Sequence, residues 1–435
     1  MTPDPTGPVE RRLLPMTADA GSDGRLQVGG IDLVDLAEEH GTPLFVYDEA
    51  QLRASCREAV AAWGEGVAYA TKAFLCVAMA RLASEEGMWL DVSTGGELHV
   101  ARRAGVAPER MVFHGNNKSP DELETALRIG IGRLVVDSFD EIDRLEALVS
   151  SGAPTTLPPK VLVRITPGIE VHTHEFVQTG QADSKFGFGL ASGAADRAVE
   201  RMGDLDEKGL LEFTGIHAHL GSQVFALAPF TRAVEVLARF FAPLGLPELV
   251  VGGGLGVPYV TGEEAPPMSE WASEVRRACR DAGIPDGVRV TAEPGRSIVA
   301  SAAITLYRVG TIKEVPGHRT YVAVDGGMSD NPRPVLYGSG YEAFLPREPF
   351  TPRTKSVRVV GKHCETGDVV VADGYVPEDI RVDDVLATPV TGAYGHSMAS
   401  NYNKVPRPAV IFVSGGTART VVRRETLDDM VRLDV

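Results

Sequence analysis

Between about residue 65 and residue 300 the chain repeats one phrase eight times: a short apolar run, a turn, then an amphipathic stretch rich in Ala, Leu and Glu. The runs are GVAYATKA, MWLDVST, MVFHGN, RLVVDS, KVLVRIT, FTGIHAHLG, ELVVGGG and VRVTAEPG, with stretches such as LCVAMARLASEEG, SPDELETALRIG and SFDEIDRLEALVS between them. Short β-branched runs bounded by turn formers read as strands, and the intervening segments read as helices. Several helices open on Ser or Asp, which cap the unpaired amides of a first turn. Eight alternating units over about 235 residues predict a (β/α)8 barrel. A doubly wound open sheet is the competing arrangement.

After about residue 305 the rhythm changes. The strands ITLYRVGTIKEV, RTYVAVDGG, SVRVVGKHC, GDVVVADGY and AVIFVSGG, separated by Gly- and Pro-containing turns, predict a C-terminal β domain of sandwich or barrel-like form. Residues 26–48, with LQVGG and PLFVYD, are expected to add strands to it, and residues 1–25, rich in Pro, Asp, Thr and Gly, to form a loose arm. The predicted organisation is an arm over 1–25, joining strands over 26–48, a barrel over 49–305 and a β domain over 306–435.

Charge narrows the function. A net charge of -16 on 435 residues repels a phosphate backbone, so a small molecule is the expected partner rather than nucleic acid. No run of 18 apolar residues and no basic, apolar leader appears, which predicts a cytoplasmic chain with no membrane span. Cys56, Cys76, Cys279 and Cys364 are far apart and lack CxxC spacing, which predicts reduced thiols and no metal site.

Chemistry in such a barrel gathers at the C-terminal ends of the strands. Those ends carry Lys72, Asp91 with Thr94, His114 with Asn116, Asp137, Arg164, His217 with His219, the Gly252, Gly253, Gly254 turn, and Glu293 with Arg296. Lys72 stands among small and apolar neighbours on what reads as a buried strand, where an amine of lowered pKa becomes a nucleophile toward carbonyls. A lysine at a strand end that snorkels to solvent is the plainer alternative. A glycine triplet lets backbone N–H groups approach a phosphate, although GGGLGV completes neither GxGxxG nor a P-loop. Glu293 suits a proton on an aromatic nitrogen, or a helix cap. His219 suits a ring lying flat against it, or a core histidine; a metal held by His217 and His219 would lack its remaining ligands. A reactive lysine, a phosphate turn, a carboxylate and a stacking imidazole together describe a pyridoxal phosphate site.

The motifs YATKAF, HTHEFVQTGQADSKFGFG, HAHLGSQ, GGGLG, EPGR, DGGMSDNPRPVLYG, CETGD and GAYGHSMASNYN, in that order from about residue 28 onward, resemble those of the fold-type III pyridoxal phosphate-dependent decarboxylases. The resemblance implies that Lys72 bonds the cofactor and that His219 stacks on its ring, oriented by Asp91. It places Ser222, Gly252, Gly253, Gly254, Pro294, Gly295 and Arg296 around the phosphate end, and Glu293 opposite the ring nitrogen. Tyr394 is expected to touch both cofactor and substrate. Cys364 is expected to protonate the substrate carbon, Glu365 to hold the distal ammonium, and Arg296, Arg333 and Tyr337 to grip the distal carboxylate. The implied activity is decarboxylation of meso-2,6-diaminopimelate to L-lysine by a homodimer that shares its sites. An ornithine-, lysine- or arginine-type decarboxylase on the same fold is the nearest rival. A cofactor-binding regulator would be expected to lose Lys72 or Cys364, and a racemase to carry a tyrosine base where CETGD stands. His396 departs from the aromatic expected beside Tyr394.

Overall fold

Eight short parallel strands form the frame of one of the two units into which the chain divides, in a computed structural model that describes residues 4–152, 158–168 and 183–435. This unit comprises Cys56–Gly256 and Ala265–Ser297. Its strands are β1 (Ala68–Ala70), β2 (Trp89–Val92), β3 (Met111–Phe113), β4 (Arg133–Val136), β5 (Lys160–Thr166), β6 (Glu212–His217), β7 (Glu248–Val250) and β8 (Arg289–Thr291). Each pairs in parallel with the next in chain order. Two further backbone bonds, Ala68 N–H to Ala292 O (3.1 Å) and Ala70 N–H to Pro294 O (3.2 Å), tie the first strand to the end of the last. The sheet therefore closes on itself as a barrel and not as an open doubly wound sheet.

Helices α1 (Val77–Glu85), α2 (Gly95–Arg103), α3 (Pro120–Ile129), α4 (Phe139–Ser150), α5 (Ala194–Glu207), α6 (Leu227–Phe241) and α7 (Met268–Asp281) fill the connections. Their starts follow local chemistry. Ser119 and Glu122 form a reciprocal capping box on α3, and Ser138 caps α4 through the Glu141 amide. Thr94, a strand-end residue, is the N-cap of α2. Along the barrel interior, Trp89, Val112, Val135 and Leu162 belong to one buried apolar cluster with Ala68 and Val250. Strand periodicity of two then places Asp91, His114, Asp137 and Arg164 on the same face, one step nearer the C-terminal end. At the opposite end, Glu248 bonds both Arg133 (2.6 Å) and Arg289 (2.7 Å), whose guanidinium groups lie over Trp89.

A buried lysine stabilises the barrel wall. Lys118, 1% exposed, donates to Gly115 O, Val135 O and the Glu141 carboxylate (2.6 Å). Replacing Lys118 with alanine leaves Glu141 charged and unpaired in the interior and is expected to lower unfolding stability by about 3–5 kcal/mol, measured by denaturant titration.

The other unit comprises Met1–Ser55, Val257–Glu264 and Ile298–Val435. Its central strand, Ala303–Val315, pairs antiparallel with Arg319–Val324, Val385–Pro389 and Leu44–Asp48. Leu44–Asp48, buried throughout, also runs parallel to Ala409–Ser414. Thus PLFVYD lies within the main sheet. LQVGG instead builds a small sheet of Asp19–Ala20, Leu26–Val28 and Ile31–Asp32, because Gly29 and Gly30, both at positive φ, turn the chain back on itself. Residues 4–25 are packed rather than loose. Leu13 and Leu14 are buried, and the buried Arg353 side chain donates to Gly7 O (2.9 Å) while its amide donates to Thr6 O. Among the described residues no helix is long and apolar enough to cross a membrane.

Candidate active site

The tips of β2, β3, β6 and β8 converge on one carboxylate. Glu293 presents one oxygen 2.8 Å from His114 Nε2 and the other 2.8 Å from His217 Nε2. The two imidazoles stand 4.4 Å apart between centroids, and Asp91 lies 3.5 Å from His114 Nε2. All four side chains are buried. Asp91, expected to orient His219, lies against His114 because period two points both strand-end residues inward from neighbouring strands.

Burial opposes ionisation of Glu293, but the charge of His114 and the hydrogen bonds of His114 and His217 outweigh it and hold the carboxyl well below its ordinary range. His114 is burdened by desolvation, yet Asp91 and Glu293 hold its pKa up. Desolvation brings His217 down to about 4, despite the opposing pull of Glu293. A neutral His217 must carry its proton on Nε2 to donate to Glu293; its Nδ1 has no partner among the described residues. Asp91 is pushed up to about 6, chiefly by burial. The His114, His217 and Glu293 ligand atoms all lie within 4.8 Å, the spacing set by their hydrogen bonds.

Lys72 sits differently from its expected buried strand. Strand β1 stops at Ala70, and Thr71–Ala73 form a single 3-10 turn that leaves Lys72 exposed. The buried Thr71 hydroxyl fixes this turn by donating to Asp91 O (2.8 Å). His219 lies two residues beyond β6, where its Nδ1 accepts from Gly253 N–H at 3.2 Å. Burial, with Lys72 and Arg164 adding like charge, keeps that imidazole neutral. Gly252 and Gly254 hold φ of +72° and +122°. A Cβ at Gly252, Gly253 or Gly254 would strike Ala218 O, Glu293 O or Gly221 O respectively, so only glycine makes this turn. Nearby, Arg296 donates to Ser222 Oγ at 3.1 Å, and Gly295 packs against Ala70.

This donor set fits pyridoxal phosphate: an accessible amine, a side-chain-free turn of backbone amides, a hydroxyl paired with arginine, a neutral imidazole and a buried anionic carboxylate. Sequence reasoning placed these groups at strand ends. It did not pair His114 and His217 with Glu293, because their contact depends on closure of the sheet and not on the local pattern of any one strand.

The remaining candidates belong to the other unit. Arg333, 4% exposed, opens the short helix Arg333–Tyr337, stacks over Tyr259 (4.2 Å) and donates to Tyr341 Oη (2.6 Å). Tyr337, at the end of that helix, is half-buried. Cys364 and Glu365 lie on an exposed turn. Tyr394 holds a φ of +59°, a conformation that a bulky residue adopts only when its surroundings impose it. His396 meets Phe45 edge-on at 5.8 Å, and burial lowers its pKa to about 4, so it serves as a neutral packing ring. Of the HTHEFVQTGQADSKFGFG motif, residues 172–182 lie outside the described residues.

A family model for the pyridoxal-dependent decarboxylase, pyridoxal binding domain, matches residues 49–300. A curated diaminopimelate decarboxylase of Mycobacterium tuberculosis is 46% identical over 431 residues, with 95% of each chain covered. The Bacillus subtilis diaminopimelate decarboxylase is 45% identical over 437 residues, covering 96% of this chain and 97% of that one. Among solved structures, diaminopimelate decarboxylase from M. jannaschii in co-complex with L-lysine superposes with a TM-score of 0.87 at 31% identity, covering 97% of this chain and 98% of that one.

Proposed function

The chain belongs to the diaminopimelate decarboxylase family of pyridoxal-dependent decarboxylases, and from that premise we propose how its residues divide the work of converting diaminopimelate to L-lysine and carbon dioxide. Pyridoxal phosphate, when bound, supplies the electron sink that accepts the bonding pair of the departing carboxylate. Lys72 anchors it covalently. Gly252, Gly253, Gly254, Ser222, Pro294, Gly295 and Arg296 hold its phosphate end. Glu293, kept ionised by its contacts with His114 and His217, would maintain a proton at the ring nitrogen, and neutral His219 would stack on the ring. Once the carbon–carbon bond breaks and carbon dioxide leaves, the Cys364 thiol delivers a proton to that carbon, and solvent restores the thiol. Tyr394 contacts cofactor and substrate, and Glu365 holds the distal ammonium.

One observation carries the choice of substrate. Arg333 is a buried cation held by the Tyr259 face and the Tyr341 hydroxyl, and it meets no carboxylate among the described residues. A buried charge without a counter-ion is costly, and a guanidinium suits bidentate capture of a carboxylate. With Arg296 and Tyr337, it is assigned the second carboxylate of meso-2,6-diaminopimelate. A substrate ending in a bare amine, such as ornithine, would leave that cation unpaired. We assign the chain to the last step of lysine biosynthesis in the cytoplasm, as a homodimer in which each site draws on both copies. The exposed Cys364, Val335 and Leu336 are surfaces that such an assembly would cover.

Carbon dioxide release is to be measured with meso-diaminopimelate, L-lysine, L-ornithine and L-arginine at equal concentrations. Diaminopimelate is expected to be turned over at least about a hundredfold faster, the size of a penalty of about 2–5 kcal/mol for an unpaired buried charge. Equal or faster turnover of ornithine would overturn the assignment.

A further inference from the structure

Cys364, Glu365, Thr366 and Gly367 form an exposed turn that no apolar packing of their own can fix. A proton donor, however, must stand within hydrogen-bond reach of the carbon it serves, and a displacement of about 1 Å costs a site on the order of a hundredfold in rate. Two polar groups hold the turn at its base. Asp368, 3% exposed, accepts from the His363 amide (2.7 Å) with one oxygen and from the Met328 amide (2.6 Å) with the other. A Cβ on Gly327 or Gly361 would run into this carboxylate, so the backbone is closed tightly around it. On the other side, Asn403 Oδ1 accepts from the Cys364 amide at 3.3 Å and lies 3.3 Å from His363 Nδ1.

The hydrogen-bond pattern fixes one ring proton of His363. An amide oxygen only accepts, so His363 donates from Nδ1, while its Nε2 is hydrogen-bonded to Ser329 Oγ at 2.8 Å. Asn403 itself sits at φ +52°, a left-handed conformation that Asn and Gly tolerate and alanine does not. Its side chain is thereby aimed back at the Cys364 backbone from a separate, exposed segment.

We propose that Asn403 and Asp368 are positioning residues for Cys364, setting where the thiol of the exposed turn can stand during proton delivery. The proposal rests on the reading of Cys364 as proton donor. Asn403 is the residue to test, since it is exposed and its loss removes the shared acceptor of the Cys364 amide and His363 Nδ1; Asn403→Gly removes the side chain and keeps the left-handed backbone. In the holoenzyme, N403G is expected to lower kcat about ten- to a hundredfold with KM within about twofold. Asn403→Asp, which retains the acceptor, should recover to within about threefold of wild type. Added to Cys364→Ala, N403G should lower kcat no further, because its effect passes through the missing thiol. If N403G alone turns over at the wild-type rate while Cys364→Ala is slow, the positioning role is overturned and the proton-donor reading stands. An equal fold-loss in the Cys364→Ala background likewise overturns positioning. If Cys364→Ala itself turns over normally, the proton-donor reading falls and takes the proposal with it.

Discussion

Replacing Lys72 with alanine is expected to abolish the yellow colour of the cofactor-loaded protein and to reduce turnover on the order of a thousandfold or more, roughly 4 kcal/mol of barrier. The loss should be chemical and not structural. Lys72 is exposed on a turn whose place is set by the buried Thr71 bond to Asp91, so the melting temperature of the empty protein should stay where it was. The glycine turn, Ser222 and Arg296, proposed to hold the phosphate, are untouched, so pyridoxal phosphate should still bind, without a covalent link. Lys118 cannot substitute. Its ammonium is committed to two carbonyls and Glu141 inside the wall. Spectra of wild type and variant, with steady-state rates on diaminopimelate, decide the point; a variant that keeps both colour and rate would remove Lys72 from the mechanism.

Glu293→Gln carries the next largest expected effect. Glutamine is nearly isosteric, so the barrel is retained, but a neutral amide cannot hold a proton on a ring nitrogen as a carboxylate does. Turnover is expected to fall about a hundred- to a thousandfold, the usual effect of removing one preorganised electrostatic partner. The same change has a consequence in the empty protein. Burial pulls the His114 pKa down while Asp91 and Glu293 pull it up, with the upward pull prevailing. Taking away one anion removes part of that pull, so His114 should titrate at lower pH in the variant. Histidine NMR titration reads this directly, and an unchanged or raised His114 value would mean that Glu293 does not govern its charge.

The order of elements was legible because it is written in local periodicity. Eight apolar runs separated by capped amphipathic segments correspond to β1 through β8 and their helices. The polar ends were legible for the same reason, since period two follows Trp89, Val112, Val135 and Leu162 with Asp91, His114, Asp137 and Arg164. What local pattern cannot show is which strand ends meet across the interior. Glu293 lies 179 residues from His114 in sequence and 76 from His217, and only closure of the sheet brings them within 2.8 Å. VAYATKAF reads as one continuous strand with Lys72 either buried on it or snorkelling from its end; pairing stops at Ala70 and the chain tightens into a 3-10 turn that leaves Lys72 exposed. Residues 4–25 look loose by composition, yet the carbonyls of Pro5 and Gly7 are taken up by Arg353, a partner more than three hundred residues away. One buried guanidinium thus fixes the start of a segment whose later residues Val9, Leu13 and Leu14 pack by burial.

The central claim is a covalent bond between one lysine and the cofactor at the mouth of this barrel. Hydride reduction of the holoenzyme, which makes such a carbon–nitrogen bond permanent, followed by proteolysis and mass spectrometry, locates it. The added mass of a phosphopyridoxyl group is predicted on the peptide carrying Lys72 and nowhere else. Its appearance on Lys118 or any other lysine, or its absence from a protein saturated with pyridoxal phosphate, would contradict the account.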